Sequence, residues 1–311
     1  MAKKKLFTGS IGEKTMREIW DLYTLSQTAK GITDITLRNY AQHLHSISKH
    51  LDIDVPMSEI SKQDLDMMVV SMREAGLSNN SIATYVRRMR AFLGWCNREG
   101  YSTLKMAHIK EQDTVKETYT DEELEKLLKR PKKDCDFCEF RGWVIINFLL
   151  NSGCRAATVR NIQNRDVDLN SAEVVFRHTK SKKIQVIPLC RIMVDILRDY
   201  MSVRKGKPED YLFCDQFGGM LSENALRLAI ERYNNRRGVS KTSIHMFRHT
   251  FARKYLIDCG GDAFTLQRLL GHSTLNMTKH YCSIYDADIS KNYDRVSPLA
   301  HIQREKETIK M

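Results

Sequence analysis

The sequence has no run long and apolar enough to cross a bilayer. Its longest apolar stretch, Trp143 to Leu150, is broken by Asn147, and a spanning helix needs about 20 predominantly apolar residues. The basic start Met1-Ala2-Lys3-Lys4-Lys5 has no apolar segment behind it and does not read as a secretory signal. No glycine-rich phosphate loop of the Gly-x-x-x-x-Gly-Lys or Gly-x-Gly-x-x-Gly kind is present, so nothing asks for a nucleotide cofactor. Internal repeats and low-complexity tracts are also missing. Of the eight cysteines, only Cys135 and Cys138 form a Cys-x-x-Cys pair. A structural zinc site wants four ligands and no second pair follows at metal-like spacing, so no metal is expected and the thiols read as reduced packing groups.

Acidic residues are in deficit. The chain has 38 Asp and Glu against 50 Lys and Arg, a formal net charge of +12 and a pI of about 9.3. That excess favours a polyanionic partner, of which nucleic acid is the commonest. The length of 311 residues, at about 100–200 residues per domain, suggests two domains.

What is there is mostly helical periodicity. Met16, Ile19, Trp20 and Tyr23 fall on one helical face, and Leu37, Tyr40, Leu44, Ile47 and Leu51 keep a similar spacing until Pro56. Ser61 with Asp64 resembles a capping box ahead of Leu65, Met68, Val69 and Met72. Ser81 is read as opening a fourth helix, with Ile82, Tyr85, Val86, Met89, Phe92, Leu93 and Cys96 on one face and Gly100 at its end. Arg87, Arg88 and Arg90 are assigned to the opposite face, as guanidinium forks for phosphates. Residues 1–12 read as a flexible basic lead, 13–102 as a helical DNA-binding domain and 103–118, charged and aperiodic, as a linker. A second domain, 119–300, opens at the capping box Thr120-Asp121-Glu122-Glu123, and 301–311 read as a flexible tail. Val174 to Phe176 and Ile184 to Ile187 read as two short strands, the second ended by Pro188, with Lys180, Lys182 and Lys183 in the hairpin between them. The expected fold is mainly α with a small β-sheet.

The residues that carry chemistry converge on the second domain. Breaking a phosphodiester without a metal needs a nucleophile, two cations on the non-bridging oxygens, and groups that move protons. The candidates are Tyr281 as nucleophile, Arg155 and Arg248 as the clamp, Lys180 and His245 for protons and His272 as a further donor. His249 and His280 are read as structural or surface residues.

These motifs stand in a recognisable order: Ser152-Gly153-Cys154-Arg155, then Lys180 ahead of Ile187-Pro188, then His245-Met246-Phe247-Arg248-His249, Leu269-Leu270-Gly271-His272 and Tyr281. The chain thereby resembles the tyrosine recombinase (phage integrase) family over nearly its whole length. The resemblance implies an N-terminal four-helix core-binding (SAM-like) domain and a C-terminal α+β catalytic domain of the simple two-domain type, without an arm-binding domain. It implies site-specific cleavage and rejoining of duplex DNA attachment sites through a 3′-phosphotyrosine, by a homotetramer passing through a Holliday junction. The resemblance implies no metal and no other cofactor. An accessory directionality or DNA-bending protein, a bacterial cytosolic location at the nucleoid and integration or excision of a mobile element are further expectations. A catalytically weakened regulatory relative and a type IB topoisomerase-like enzyme are the alternatives. Residues around Ile284, Tyr285, Ile289 and Tyr293 resemble the family's tail helix. One position departs from the family pattern: three residues after the first arginine an acidic residue is usual, and Thr158 stands there.

Overall fold

A computed structural model describes residues 14–112, 116–178, 183–275, 277, 278, 281 and 297. The chain divides into two compact units, Met1–Thr114 and Val115–Met311. Lys180, Lys182 and the expected tail helix lie outside the described residues.

The first unit packs four helices: α1 (Met16–Ala29), α2 (Asp34–Ile47), α3 (Lys62–Glu74) and α4 (Asn79–Glu99). The start of α1 is fixed by Thr15 and Glu18, and that of α3 by Ser61 and Asp64, each pair exchanging side-chain and backbone hydrogen bonds across the first turn. The apolar faces read from the sequence meet in one core built on Trp20, Ile47, Met68, Met89 and Phe92.

Two expectations for α4 need correction. Its cap is Ser78, which accepts from the Ser81 backbone N–H, so the helix opens earlier than Ser81. Arg88 does not share a solvent face with Arg87 and Arg90. It lies between the core positions Tyr85 and Phe92 in helical register, and its guanidinium carbon sits 3.9 Å above the Tyr40 ring. Arg87 pairs with Glu111, and Arg90 is exposed.

In the second unit α5 (Asp121–Leu128) leads to α6 (Phe137–Ser152), which is buried almost all round, and then to the short α7 (Ala156–Asn161). After a 3₁₀ turn at Asn164–Asp166 comes a three-stranded antiparallel sheet, β1 (Val167–Asp168), β2 (Glu173–Phe176) and β3 (Gln185–Pro188), in that spatial order. Val174 faces Ile187 and Phe176 faces Gln185 across the β2–β3 pair. The two-residue β1 gave no sequence signal, since a strand that short has no period. Four helices follow: α8 (Arg191–Arg204), α9 (Glu223–Arg236), α10 (Ile244–Ile257) and α11 (Ala263–Leu270). Helix α9 runs through Asn234 to Arg236. Asn234 is held by core contacts, its side chain donating to Tyr119 Oη at 3.1 Å and to the Lys241 carbonyl at 2.7 Å.

Helix α10 is fastened from several sides. Phe247 is fully buried and stacks on Tyr119 with ring centroids 4.3 Å apart. The Tyr119 backbone N–H donates to Thr250 Oγ1 at 3.0 Å. Lys254 pairs with Asp121 and Asp258 at 2.5 and 2.8 Å.

Gly153 shows why its position takes no side chain. It ends α6 at φ +58°, and an added Cβ would stand 2.3 Å from Phe251 Cδ1 and 2.9 Å from Leu270 Cδ2. Both α10 and α11 are therefore pressed against the α6 terminus. Gly153→Ala would add a left-handed backbone penalty to overpacking, lowering the stability of this unit by about 2–5 kcal/mol. Denaturant unfolding checks this; an unchanged midpoint would contradict it.

Candidate active site

The site is assembled on three helix ends. Arg155 occupies the N-cap of α7, two residues past the Gly153 turn, in extended conformation. Arg248 lies on α10 and is only 5% exposed. His272 follows the Gly271 turn that ends α11 at φ +62°, and Tyr281 lies beyond it, 7% exposed, among Ala252, Leu266 and Leu270.

Arg248 binds two helix termini at once. It donates to the Gly153 carbonyl at 2.8 Å and to the Leu270 carbonyl at 2.9 Å. These carbonyls belong to the last turns of α6 and α11, which lack an onward helical partner and carry the negative ends of the helix dipoles. A third contact, 2.7 Å long, joins Arg248 to His272 Nε2. A guanidinium can only donate, so Nε2 accepts and the imidazole proton sits on Nδ1. That nitrogen lies 2.9 Å from Thr278 Oγ1, to which it donates.

The electrostatics follow from burial and crowding. Burial first, and then Arg155, lower the Arg248 pKa to about 10, which leaves it protonated at neutral pH. His272 is pushed down to about 4 by burial and by the charges of Arg248 and Arg155, so it is neutral. Burial raises the Tyr281 pKa, while Arg248 and Arg155 pull it the other way. Among the described residues no carboxylate pairs with either arginine. Thr158, the position where an acidic residue is usual, is buried and donates its backbone N–H to the Arg155 carbonyl at 2.9 Å. Two like charges thus sit together, and among the described residues no carboxylate pairs with either, an arrangement that can take up an external anion.

The other expected residues are placed differently. His245 is exposed in the first turn of α10. Lys183, also exposed, borders a groove of about 720 Å³ between β3 and α11 that reaches His272. Gln185 on β3 donates to the Leu269 carbonyl at 2.8 Å and so ties the hairpin to the end of α11. No group of three or more potential metal ligands occurs among the described residues. The Cys135 thiol is pushed up by burial and by Glu139.

One residue was missed by sequence reasoning. His249, read as structural, has its Nδ1 2.9 Å from the Tyr281 hydroxyl. The signal available was its position four residues after His245 and next to Arg248, but only the return of Tyr281 against α10 gives that position meaning.

Comparison with known proteins decides the family. Residues 117–288 match the family described as phage integrase, and residues 23–100 match the phage integrase N-terminal SAM-like domain. The chain belongs to the phage integrase family, the tyrosine-type site-specific DNA recombinases. Among its relatives, tyrosine recombinase XerC of Shewanella amazonensis is 26% identical over 280 residues, covering 88% of this chain and 93% of that one. XerC of Haemophilus ducreyi is 26% identical over 294 residues, covering 92% and 95%. Among solved structures, the Tn1549 transposon integrase in complex with a circular intermediate DNA superposes with a TM-score of 0.70 at 18% identity, covering 91% of this recombinase and all of that chain. A lambda integrase tetramer bound to a Holliday junction gives a TM-score of 0.70 at 18% identity, covering 86% and 77%. The expected fold, mainly α with a small sheet and a SAM-like domain before the catalytic domain, is the fold found. No described helix of the recombinase is long and apolar enough to cross a membrane.

The histidines give the site a pH signature. His249 and His272 are both held neutral, each lowered to about 4, whereas an unfolded histidine titrates near 6.5. The unfolded chain therefore binds more protons than the folded one between those values, and stability falls as pH drops through that window. Thermal unfolding from pH 7.5 to 4.5 should show a falling Tm, with a shallower fall in a His249→Gln/His272→Gln double variant. An equally steep fall in the double variant would contradict this.

Proposed function

We propose that this recombinase cleaves and rejoins duplex DNA with Tyr281 as its nucleophile. The observation that supports this best is the pairing of an Arg155–Arg248 couple, with which no described carboxylate pairs, with a tyrosine on which both charges act. A scissile phosphate is the anion such a couple lacks. Tyr281 Oη attacks phosphorus, and the bond from phosphorus to the 5′-oxygen breaks as a 3′-phosphotyrosine forms. Arg155 and Arg248 stabilise the charge that builds on the non-bridging oxygens. His272 supports the clamp through Arg248, and turning its ring to the phosphate would make it a further donor. Lys180 supplies the proton to the leaving 5′-oxygen, and His245 assists proton movement from the first turn of α10. The free 5′-hydroxyl of a partner duplex then reverses the chemistry on the phosphotyrosine. No metal enters this sequence of steps.

Strand exchange by four protomers through a Holliday junction is supported by the likeness to the lambda integrase tetramer on such a junction. Duplex DNA would lie against basic groups of both units, with Arg90 the exposed arginine of α4 and Arg87, Lys182 and Lys183 as further contacts. Arg88 is occupied on Tyr40 and acts structurally. For the biological role, the likeness to the transposon and lambda integrases supports integration and excision of a mobile element. A second reading, resolution of chromosome dimers, is favoured by the XerC relatives, which align over most of both chains.

A nicked suicide duplex tests the chemistry. The duplex is recovered by selection from a randomised library and carries a nick beside the cleavage point, so the released fragment diffuses away and the covalent complex accumulates. The parent chain should trap it, and Tyr281→Phe should bind it equally well and trap none. Trapping by Tyr281→Phe would refute the assignment.

A further inference from the structure

Tyr281 must lose a proton as its oxygen bonds to phosphorus. His245 is the histidine expected near that proton, yet it is exposed and no hydrogen bond joins it to Tyr281 among the described residues. The histidine on the phenol is His249. Its Nδ1 lies 2.9 Å from Tyr281 Oη, and the two rings are 5.6 Å apart at 43°. The His272 ring is stacked on the phenol at 6.3 Å. His272 cannot accept the proton in this arrangement, because Nε2 already accepts from Arg248 and Nδ1 carries its own hydrogen toward Thr278. Arg248, also next to the phenol, has donors only. Among the described residues, His249 Nδ1 is the acceptor left for the phenolic proton.

We infer that His249 is the general base of the cleavage step, taking the Tyr281 proton and returning it on rejoining. This rests on Tyr281 being the nucleophile. The balance is simple. The Oη–P bond forms, the P–O5′ bond breaks, the phenolic proton passes to His249 Nδ1, and the leaving oxygen is protonated by Lys180. The imidazolium formed faces the developing negative charge across one phenol oxygen. In the reverse step Nδ1 gives the proton back to Oη as the 5′-hydroxyl displaces it.

The surroundings suit a base that waits for its substrate. His249 is half-buried and faces Lys116 from the segment before α5, His245 and Arg248 from α10, and Tyr281. Burial first and then the charges of Lys116 and Arg248 keep it unprotonated, as a base must be before the reaction. A phosphate bound to Arg155 and Arg248 offsets that repulsion and strengthens His249 as a proton acceptor. Proton transfer is then favoured only once DNA is in place. The same helix turn divides the labour: Arg248 points at the ends of α6 and α11, and its neighbour His249 points at the nucleophile.

The test uses the full chain and the selected, nicked duplex under single-turnover conditions. His249→Ala should trap at a rate lower by about 100-fold or more, with duplex binding unchanged. His249→Asn keeps an acceptor near the place of Nδ1 but cannot take a proton, and should be as slow. Both variants should gain rate steadily from pH 6 to 9 as hydroxide replaces the missing base, while the parent levels off. A parent-like rate in His249→Ala overturns the inference, and so does a parent-like rate in His249→Asn, which would leave His249 a positioning group. Should His249→Ala fail to fold, the asparagine variant carries the test. Trapping by Tyr281→Phe would instead overturn the nucleophile and the inference with it, an outcome distinct from any His249 rate.

Discussion

Everything in the catalytic unit converges on one buried guanidinium. Arg248 caps the C-terminal ends of α6 and α11 together, donating to the Gly153 and Leu270 carbonyls, and holds His272 with the same fork. Those carbonyls would otherwise be orphaned in a crowded, water-poor place. The bonds also fix the Gly153 turn, two residues before Arg155, and the Gly271 turn, one residue before His272. One side chain thus sets the relative positions of three elements that carry the site. This is preorganisation in a literal sense, because the clamp is built before an anion arrives.

The arrangement is electrostatically unfinished. Two arginines close enough to depress each other's neighbours share the site with neutral imidazoles and a phenol. In a self-contained protein core such charges would be paired with carboxylates. Thr158 stands, buried and uncharged, where relatives of the family usually place an acid, and among the described residues no carboxylate pairs with Arg155. On the mechanism proposed above, the incoming phosphate supplies the charge that the described residues omit and acts at once on the clamp, on the phenol and on His249, so that binding and activation become the same event.

Much of this was legible from the sequence, and what escaped did so for physical reasons. Helical faces such as Met16-Ile19-Trp20-Tyr23 and capping boxes such as Ser61–Asp64 are local, so spacing alone reveals them. Arg155, Arg248, His272 and Tyr281 were proposed because their order along the chain matches a family, and the fold brings them together. Arg88 was misassigned because a long side chain flanking an apolar stripe can lie inward on an aromatic ring, and polarity does not show which way it turns. His249 was passed over because its partner lies 32 residues away. Asn234, in the last turn of α9, is satisfied by Tyr119 and Lys241, contacts that no local pattern contains.

The central claim is that the buried Arg248 fork holds the site together in the absence of DNA. Its most direct test is the unfolding free energy of Arg248→Met, which keeps the length of the side chain and removes its charge and donors. The catalytic unit should lose about 3–5 kcal/mol, since two helix-end carbonyls and His272 lose their shared donor at a buried position. A variant as stable as the parent would contradict the account, showing that the ends of α6 and α11 are held by apolar packing alone.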